Sequence, residues 1–416
     1  MRIVMLVFCV ALVAGCSRIS GAPSLPSTTS TVTDTLPKAA SYGQYVSLYS
    51  FRGQTSGGSP QAGLVEHNGE LYGTTSAYGK GYGTVFKVSA LGKVTTLYSF
   101  SGYPDGAYPE AGLVWYKDAF YGTTSAGGTQ NGGTVFTITT SGAERVIHSF
   151  GKGDDGAQPI AGLVEAGSIL YGTTKNGGRR NKGTVFEITT NGVEHVMHSF
   201  IGAPSDGGHP PAGLILVGSE LYGVTGSGGE NAGGGAVFKI GLFGQIKLLH
   251  SFKVEPGDGA NPAGPLVYLN GIFYGTTLHG GNIGRGFGTV FEMNARGNEA
   301  VLHSFGGRND GAFPSAGLAV INGELYGTTT GGGTSPRKSN ECISSGLRPD
   351  GDGYYKCGTI FSIARSGRER VIYRFKGDPD GANPEAALAP AGGVLYGTTD
   401  WGGEAAYYGT VFRIFP

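Results

Sequence analysis

From residue 45 onward the apolar residues fall into short runs, bounded by clusters of Gly, Asn and Asp. In the second unit of the pattern the runs cover roughly 111–115, 119–124, 133–140 and 143–150. They are rich in Val, Ile, Phe, Tyr and Thr, and no stretch of ten to twelve residues carries a helical apolar stripe. In the third run Phe136 and Ile138 fall on one face while Val135 and Thr137 fall on the other, the alternation of a strand. The pattern predicts four short strands per unit and no helix.

The unit repeats. Leu-Tyr-Gly-Thr-Thr or a near variant places Tyr at 72, 121, 171, 222, 274, 326 and 396. Gly-Thr-Val-Phe places Phe at 86, 136, 186, 238, 291, 361 and 412. A third string, Leu-(His/Tyr)-Ser-Phe, ends at Phe51, Phe100, Phe150, Phe200, Phe252, Phe305 and Phe375, with Arg374 in place of Ser in the last. Four strands in about fifty residues is the size of a propeller blade. The array starts with a lone fourth-strand motif at Tyr45 and stops at Pro416 after a third strand. Pairing the two closes a ring without an open edge, so the expected fold is an all-β, seven-bladed propeller over 45–416. The Gly that follows each recurring Tyr is expected to admit a neighbouring chain or ring.

These strings resemble the GloVer tandem repeat of bacterial "choice-of-anchor" proteins, and the resemblance covers residues 45–416. It implies a repeat architecture at a cell surface and carries no established activity. The insertion at 330–357 departs from the repeat. The first residues fit a surface address: Met1-Arg2, an apolar run over 3–13, then Ala14-Gly15-Cys16. A charged start, a short apolar stretch and a small-residue site make an export signal over 1–15. Its end resembles a bacterial lipobox, which implies lipid on Cys16; Ser17 after it favours, by the same analogy, an outer membrane or cell surface. Residues 16–44, rich in Ser, Thr, Ala and Pro, read as a flexible tether spanning roughly 30 Å.

Composition narrows the function. Gly (79) and Pro (20) make up about 24% of the 416 residues, yet Gly has no three-residue period, which excludes collagen. Recurring aromatics argue against disorder. With 30 basic and 30 acidic residues the chain has no electrostatic footprint for nucleic acid. The expected protein is a monomer whose partners are a membrane, through its lipid, and a glycan or protein ligand. No cofactor or metal is expected.

Candidate chemistry is sparse. No nucleophile elbow, zinc-protease helix, phosphate loop or haem-attachment string is present, and the Gly doublets are turn chemistry. His148, His198, His250 and His303 sit in fourth strands at the rim, where equivalent positions are too far apart to share a metal, so they read as packing. Asp105, Asp155, Asp206, Asp258, Asp310 and Asp380 precede Gly in the turn between blades, with Ser56 in the seventh place, and read as turn formers. Asp350-Gly351-Asp352-Gly353 looks like a fragment of a calcium loop but lacks the distal Glu. Cys342 and Cys357, both in the insertion of an exported chain, are expected to form a disulfide.

Strand alternation places the connections after second and fourth strands on one face of the ring, with the long loops. There the symmetry fails, in blades six and seven. Tyr354, Tyr355, Trp401, Tyr407 and Tyr408, with Asp350, Asp352, Asp400 and Glu404 beside them, form a candidate ligand patch; the alternative is that these aromatics pack around the disulfide. The favoured function is a surface-tethered binding or scaffold module. The other is an extracellular glycan hydrolase or lyase, its acids drawn from several blades.

Overall fold

The computed structural model describes residues 41–416 apart from 152, 231–232, 283–285, 308, 334–356 and 405–406. Seven antiparallel four-stranded blades form a closed propeller. Blade two is representative, with strands Val114–Tyr116, Ala119–Thr124, Thr134–Ile138 and Glu144–Ser149. Its first strand is shorter than the sequence predicts. The preceding Pro-Glu-Ala-Gly segment has left the ladder to line the central channel.

The ring closes between its two ends. Strand Tyr45–Ser50 pairs with Thr410–Ile414, with Tyr45 opposite Ile414 and Ser50 opposite Thr410. Outside that ladder Gly43 N–H donates to the Phe415 carbonyl at 2.7 Å, and Phe51 N–H to the Gly409 carbonyl at 2.9 Å.

The core is distributed between blades. In the third strand of blade two, Phe136 and Ile138 join Tyr72, Val85 and Phe100 of blade one, while Val135 joins Phe150 of its own blade and Phe186 and Leu170 of blade three. Both faces of the strand are therefore buried. At each of the seven interfaces a fourth-strand Phe meets a third-strand Phe of the next blade edge to face, centroids 5.1–5.4 Å apart. The Phe ring tip also explains the Gly after each Tyr. A Cβ there would come within 2.8 Å of the ring in every blade.

The Thr-Thr pair is structural and buried. Except in blade four, the first Thr donates to the Ala carbonyl of the next blade's channel segment at 2.8–3.3 Å, as Thr123 does to Ala161. The second Thr bonds the Thr of Gly-Thr-Val-Phe at 2.8–2.9 Å in the same six blades. Blade four carries Val224 and Ala236 at these places, and Thr225 accepts the Ala236 N–H instead. Sequence alone could not separate these hydrogen bonds from plain strand propensity.

Every fourth strand bulges. In blade two the register passes from Val135–His148 to Phe136–Val146, leaving Ile147 unpaired. The Ile147 carbonyl lies against Gly192, in the tight turn before the fourth strand of blade three, where φ is +91° and no Cβ fits. The bulge thus draws the start of one fourth strand against the end of its neighbour's.

Candidate functional site

That contact builds a polar cluster at the blade interfaces. The Asp of each inter-blade turn accepts backbone N–H groups: Asp105 from Ser101 at 2.9 Å and Gly106 at 2.7 Å, Asp258 from Lys253 at 2.8 Å and Gly259 at 2.7 Å. Ser56 does the same for Arg52 at 3.2 Å. The reading of these residues as turn formers stands on these bonds. The same carboxylates also face the fourth-strand His or Tyr. Tyr98 donates to Asp105 at 3.0 Å, and His198 Nε2 lies 2.8 Å from Asp206.

A third member comes from the next blade and escaped the sequence reading. Glu144 opens the fourth strand of blade two, and the bulge of blade one brings it to Tyr98 and Asp105. Burial pushes Glu144 up to about 7; the charge of Asp105 adds to the shift, and a hydrogen bond with Tyr98 opposes it. Glu194, Glu299 and Glu369 are pushed up to about 7 as well, burial again the largest cause. A carboxyl whose affinity for its proton rises on folding costs nothing while it is protonated in both states. That stability is lost as pH climbs from about 4.5 through 7. Glu144→Ile, which copies the protein's own Ile246 at the corresponding place, should therefore gain on the parent as pH rises. After discounting for partial exposure the gap should widen by on the order of 1 kcal/mol between pH 5 and 8. Denaturant unfolding at the two pH values, with chelator present, measures it.

The central channel encloses about 420 Å³, lined by the seven Ala-centred segments that open the blades. Its polar side chains are Gln61, Glu110, Ser315 and Glu385, and all but Ser315 belong to blades seven, one and two. Ser125 Oγ donates to Glu110 at 2.8 Å, and Asn383 Nδ2 to Glu385 at 2.8 Å. Asp400 stands behind Gln61. The residue after Thr-Thr is Ser76, Ser125, Lys175, Gly226, Leu278 or Thr330 elsewhere, so Asp400 is the one acid among the seven. It is 4% exposed, and its Oδ1 has no hydrogen-bond partner. Burial raises Asp400 to about 6 against the pull of Ser59, Asn383, Trp401 and Gln61.

Of the predicted patch, Asp350, Asp352, Tyr354, Tyr355 and Cys342 lie outside the described residues. Trp401 is half-buried, its backbone bridged to Ala382 by N–H···O bonds of 2.8 and 3.1 Å, and it packs on the blade-six and blade-seven core. It does not offer a flat exposed face. Tyr408 turns inward over Gly53 and Gly58 and meets Tyr78 edge to face at 4.9 Å. Tyr407 is exposed (45%), as is Glu404, whose 3.8 Å contact with Arg52 is solvated and weak. Cys357 is buried.

Fold and repeat together define a tandem-repeat β-propeller. The chain belongs to the Gloeobacter/Verrucomicrobia repeat family, whose pattern matches residues 31–181 and 152–338. No curated protein matches it in sequence. Among solved structures it is similar to the quinohemoprotein alcohol dehydrogenase of Comamonas testosteroni, at 11% identity and TM-score 0.50 over 90% of this chain and 76% of that one. It is also similar to a gluconolactonase of Xanthomonas campestris, at 12% identity and TM-score 0.42 over 80% and 90%, and to a putative TolB of Agrobacterium tumefaciens, at 9% and 0.40 over 78% and 94%. At such identities the likeness is one of fold alone.

Proposed function

We propose that this chain is an exported, lipid-anchored propeller that binds an extracellular glycan or protein where blades six and seven meet blade one. The observation that carries the reading is Asp400. Asp400 is buried and peculiar to its blade, an acid beside a channel segment where the other six blades carry Ser, Lys, Gly, Leu or Thr. A sevenfold surface suits few ligands, and here the symmetry fails beside an exposed Tyr407 and a channel mouth carrying Glu110 and Glu385. The anchor rests on the leader alone. Cys342 and Cys357, in the neighbouring loop, are proposed to pair, which peptide mass mapping without reductant would reveal.

A second reading draws on the same acid. A buried carboxyl raised to about 6 behind a channel whose lining includes Glu110 and Glu385 is also what a glycan-cleaving general acid requires. Three measurements test the two readings, and the last separates them. Wild type should sediment with membranes after a salt wash and Cys16→Ser should not. On a glycan and protein array, Tyr407→Ala should weaken the wild-type hit about tenfold or more, while Trp115→Phe on the opposite face leaves it unchanged. Reducing sugar released from a bound glycan would establish the enzyme. Equal binding by Tyr407→Ala would move the site away from blade seven.

A further inference from the structure

We propose that two interfaces, between blades two and three and between blades four and five, each bind a divalent transition-metal ion through one imidazole and two carboxylates: His148, Asp155 and Glu194 in the first, His250, Asp258 and Glu299 in the second. In each trio the donor atoms lie within 4.8 Å of one another. His148 Nε2 is 3.4 Å from Asp155 Oδ2. His250 Nε2 is 3.6 Å from Asp258 Oδ1 and 3.9 Å from Glu299 Oε2. Bonds of about 2 Å to a shared ion need donors slightly over 3 Å apart, so a small contraction completes the set, with water in the remaining positions.

The donors are left waiting. His148 Nε2, His250 Nε2, Glu194 Oε1 and Glu299 Oε1 are buried without a hydrogen-bond partner, and the Glu299 side chain is only 7% exposed. Such atoms are costly to bury, and two carboxylates side by side with no Lys or Arg acting on the Glu more so. The Asp is already oriented: backbone N–H groups hold both oxygens of Asp155 (3.2 and 2.7 Å) and both of Asp258 (2.8 and 2.7 Å). An imidazole with two carboxylates suits Zn²⁺ or Mn²⁺ better than Ca²⁺, which prefers more oxygens.

The molecule contains its own controls. Between blades three and four the Glu is replaced by Ile246, and His198 closes directly onto Asp206 at 2.8 Å. Where Glu is present the imidazole stands off instead, at 3.4–3.6 Å, with Nε2 unpaired. Between blades five and six the trio is His303, Asp310 and Glu369, but the Arg374 charge acts on Glu369 and supplies a cation of its own. Between blades one and two Tyr98 takes the place of His. Among the described residues, only the two interfaces named above combine all three donors with no Lys or Arg acting on the Glu.

The test is direct. The full chain, stripped with chelator, is dialysed against Zn²⁺ at pH 7.5 and the bound metal counted by mass spectrometry. Two ions per chain are expected for wild type, one each for Glu194→Ile and Glu299→Ile, and none for the double variant. Ile is the residue the fold already accepts at this place, and circular dichroism confirms that each variant folds. Zn²⁺ should raise the melting temperature of wild type and leave that of the double variant where it was. Ca²⁺ at the same concentration should do neither. Wild type that takes up no ion, or a double variant that still takes up two, overturns the proposal.

Discussion

Removing residues 45–51 is expected to turn a single sharp unfolding transition into a broad one at much lower temperature, with aggregation of the purified chain. The seven residues serve both neighbours of the closing strand. On one side Tyr45 stacks on Tyr373 with centroids 4.2 Å apart and bonds the Asp380 carbonyl. On the other Phe51, fully buried, meets Phe86 edge to face at 5.1 Å. Between them the strand covers the edge Thr410–Ile414. Losing one buried Phe costs about 3–5 kcal/mol, a large part of a typical folding margin of 5–15 kcal/mol. The deletion adds a stacked Tyr and a strand of ladder to that loss. It also leaves Thr410–Ile414 as an open, apolar edge, a template for another chain. Phe100→Ala is the matched control: it takes one ring from the interface between blades one and two but leaves the ring closed, so it should lower the melting temperature without aggregation. Light scattering during a thermal scan distinguishes them. A deletion variant that stays monomeric and melts with wild type would mean that closure contributes little.

How much of this was legible beforehand follows from what a repeat reports. Seven copies of the three strings, each with a few variants, give strand number, blade number and the closing pair, because each string must recur wherever the same backbone recurs. They also gave the turn role of Asp105 and its equivalents, since Ser56 can serve in the same place. What they hid is the relation between unlike positions in successive blades. His148 and His198 align in the sequence, but the bulge at Ile147 brings His148 to Glu194 instead, and nothing in the pattern of apolar residues marks the bulge. Direction was the other blind spot. Trp401 reads as a binding aromatic from its loop and its rarity, whereas its side chain packs half-buried against the core of blades six and seven. Asp400 was noticed as one of several carboxylates near aromatics; its burial behind Gln61 depends on packing between the last blade and the first.

The glycine that follows each recurring Tyr is the place where one added methyl should do most harm. Gly172, in strand Ile169–Thr174, is the test position. A Cβ there would lie 2.5 Å from Phe186 Cζ and 2.7 Å from Leu163 Cδ2. The Leu can swing aside. The Phe cannot, because Phe150 of the preceding blade packs on it at 5.1 Å and both rings are fully buried. Its backbone also sits in the ladder opposite Gly172, so the strands cannot separate without losing hydrogen bonds. Gly172→Ala should therefore destabilise by about 1–3 kcal/mol, although Ala ordinarily improves a strand or leaves it unchanged. Gly241→Ala, at the end of a third strand with only Gln245 Oε1 at 3.5 Å, should fall within about 0.5 kcal/mol of wild type. The cause is checked by shortening the obstacle. Phe186→Leu removes the ring tip and should be destabilising alone, through the space it vacates. Combined with Gly172→Ala, the methyl enters that space, so the two losses should sum to less than their separate values by about 1 kcal/mol or more. Urea unfolding of the four proteins gives the coupling. Strictly additive losses would show that the glycine is there for some reason other than the ring.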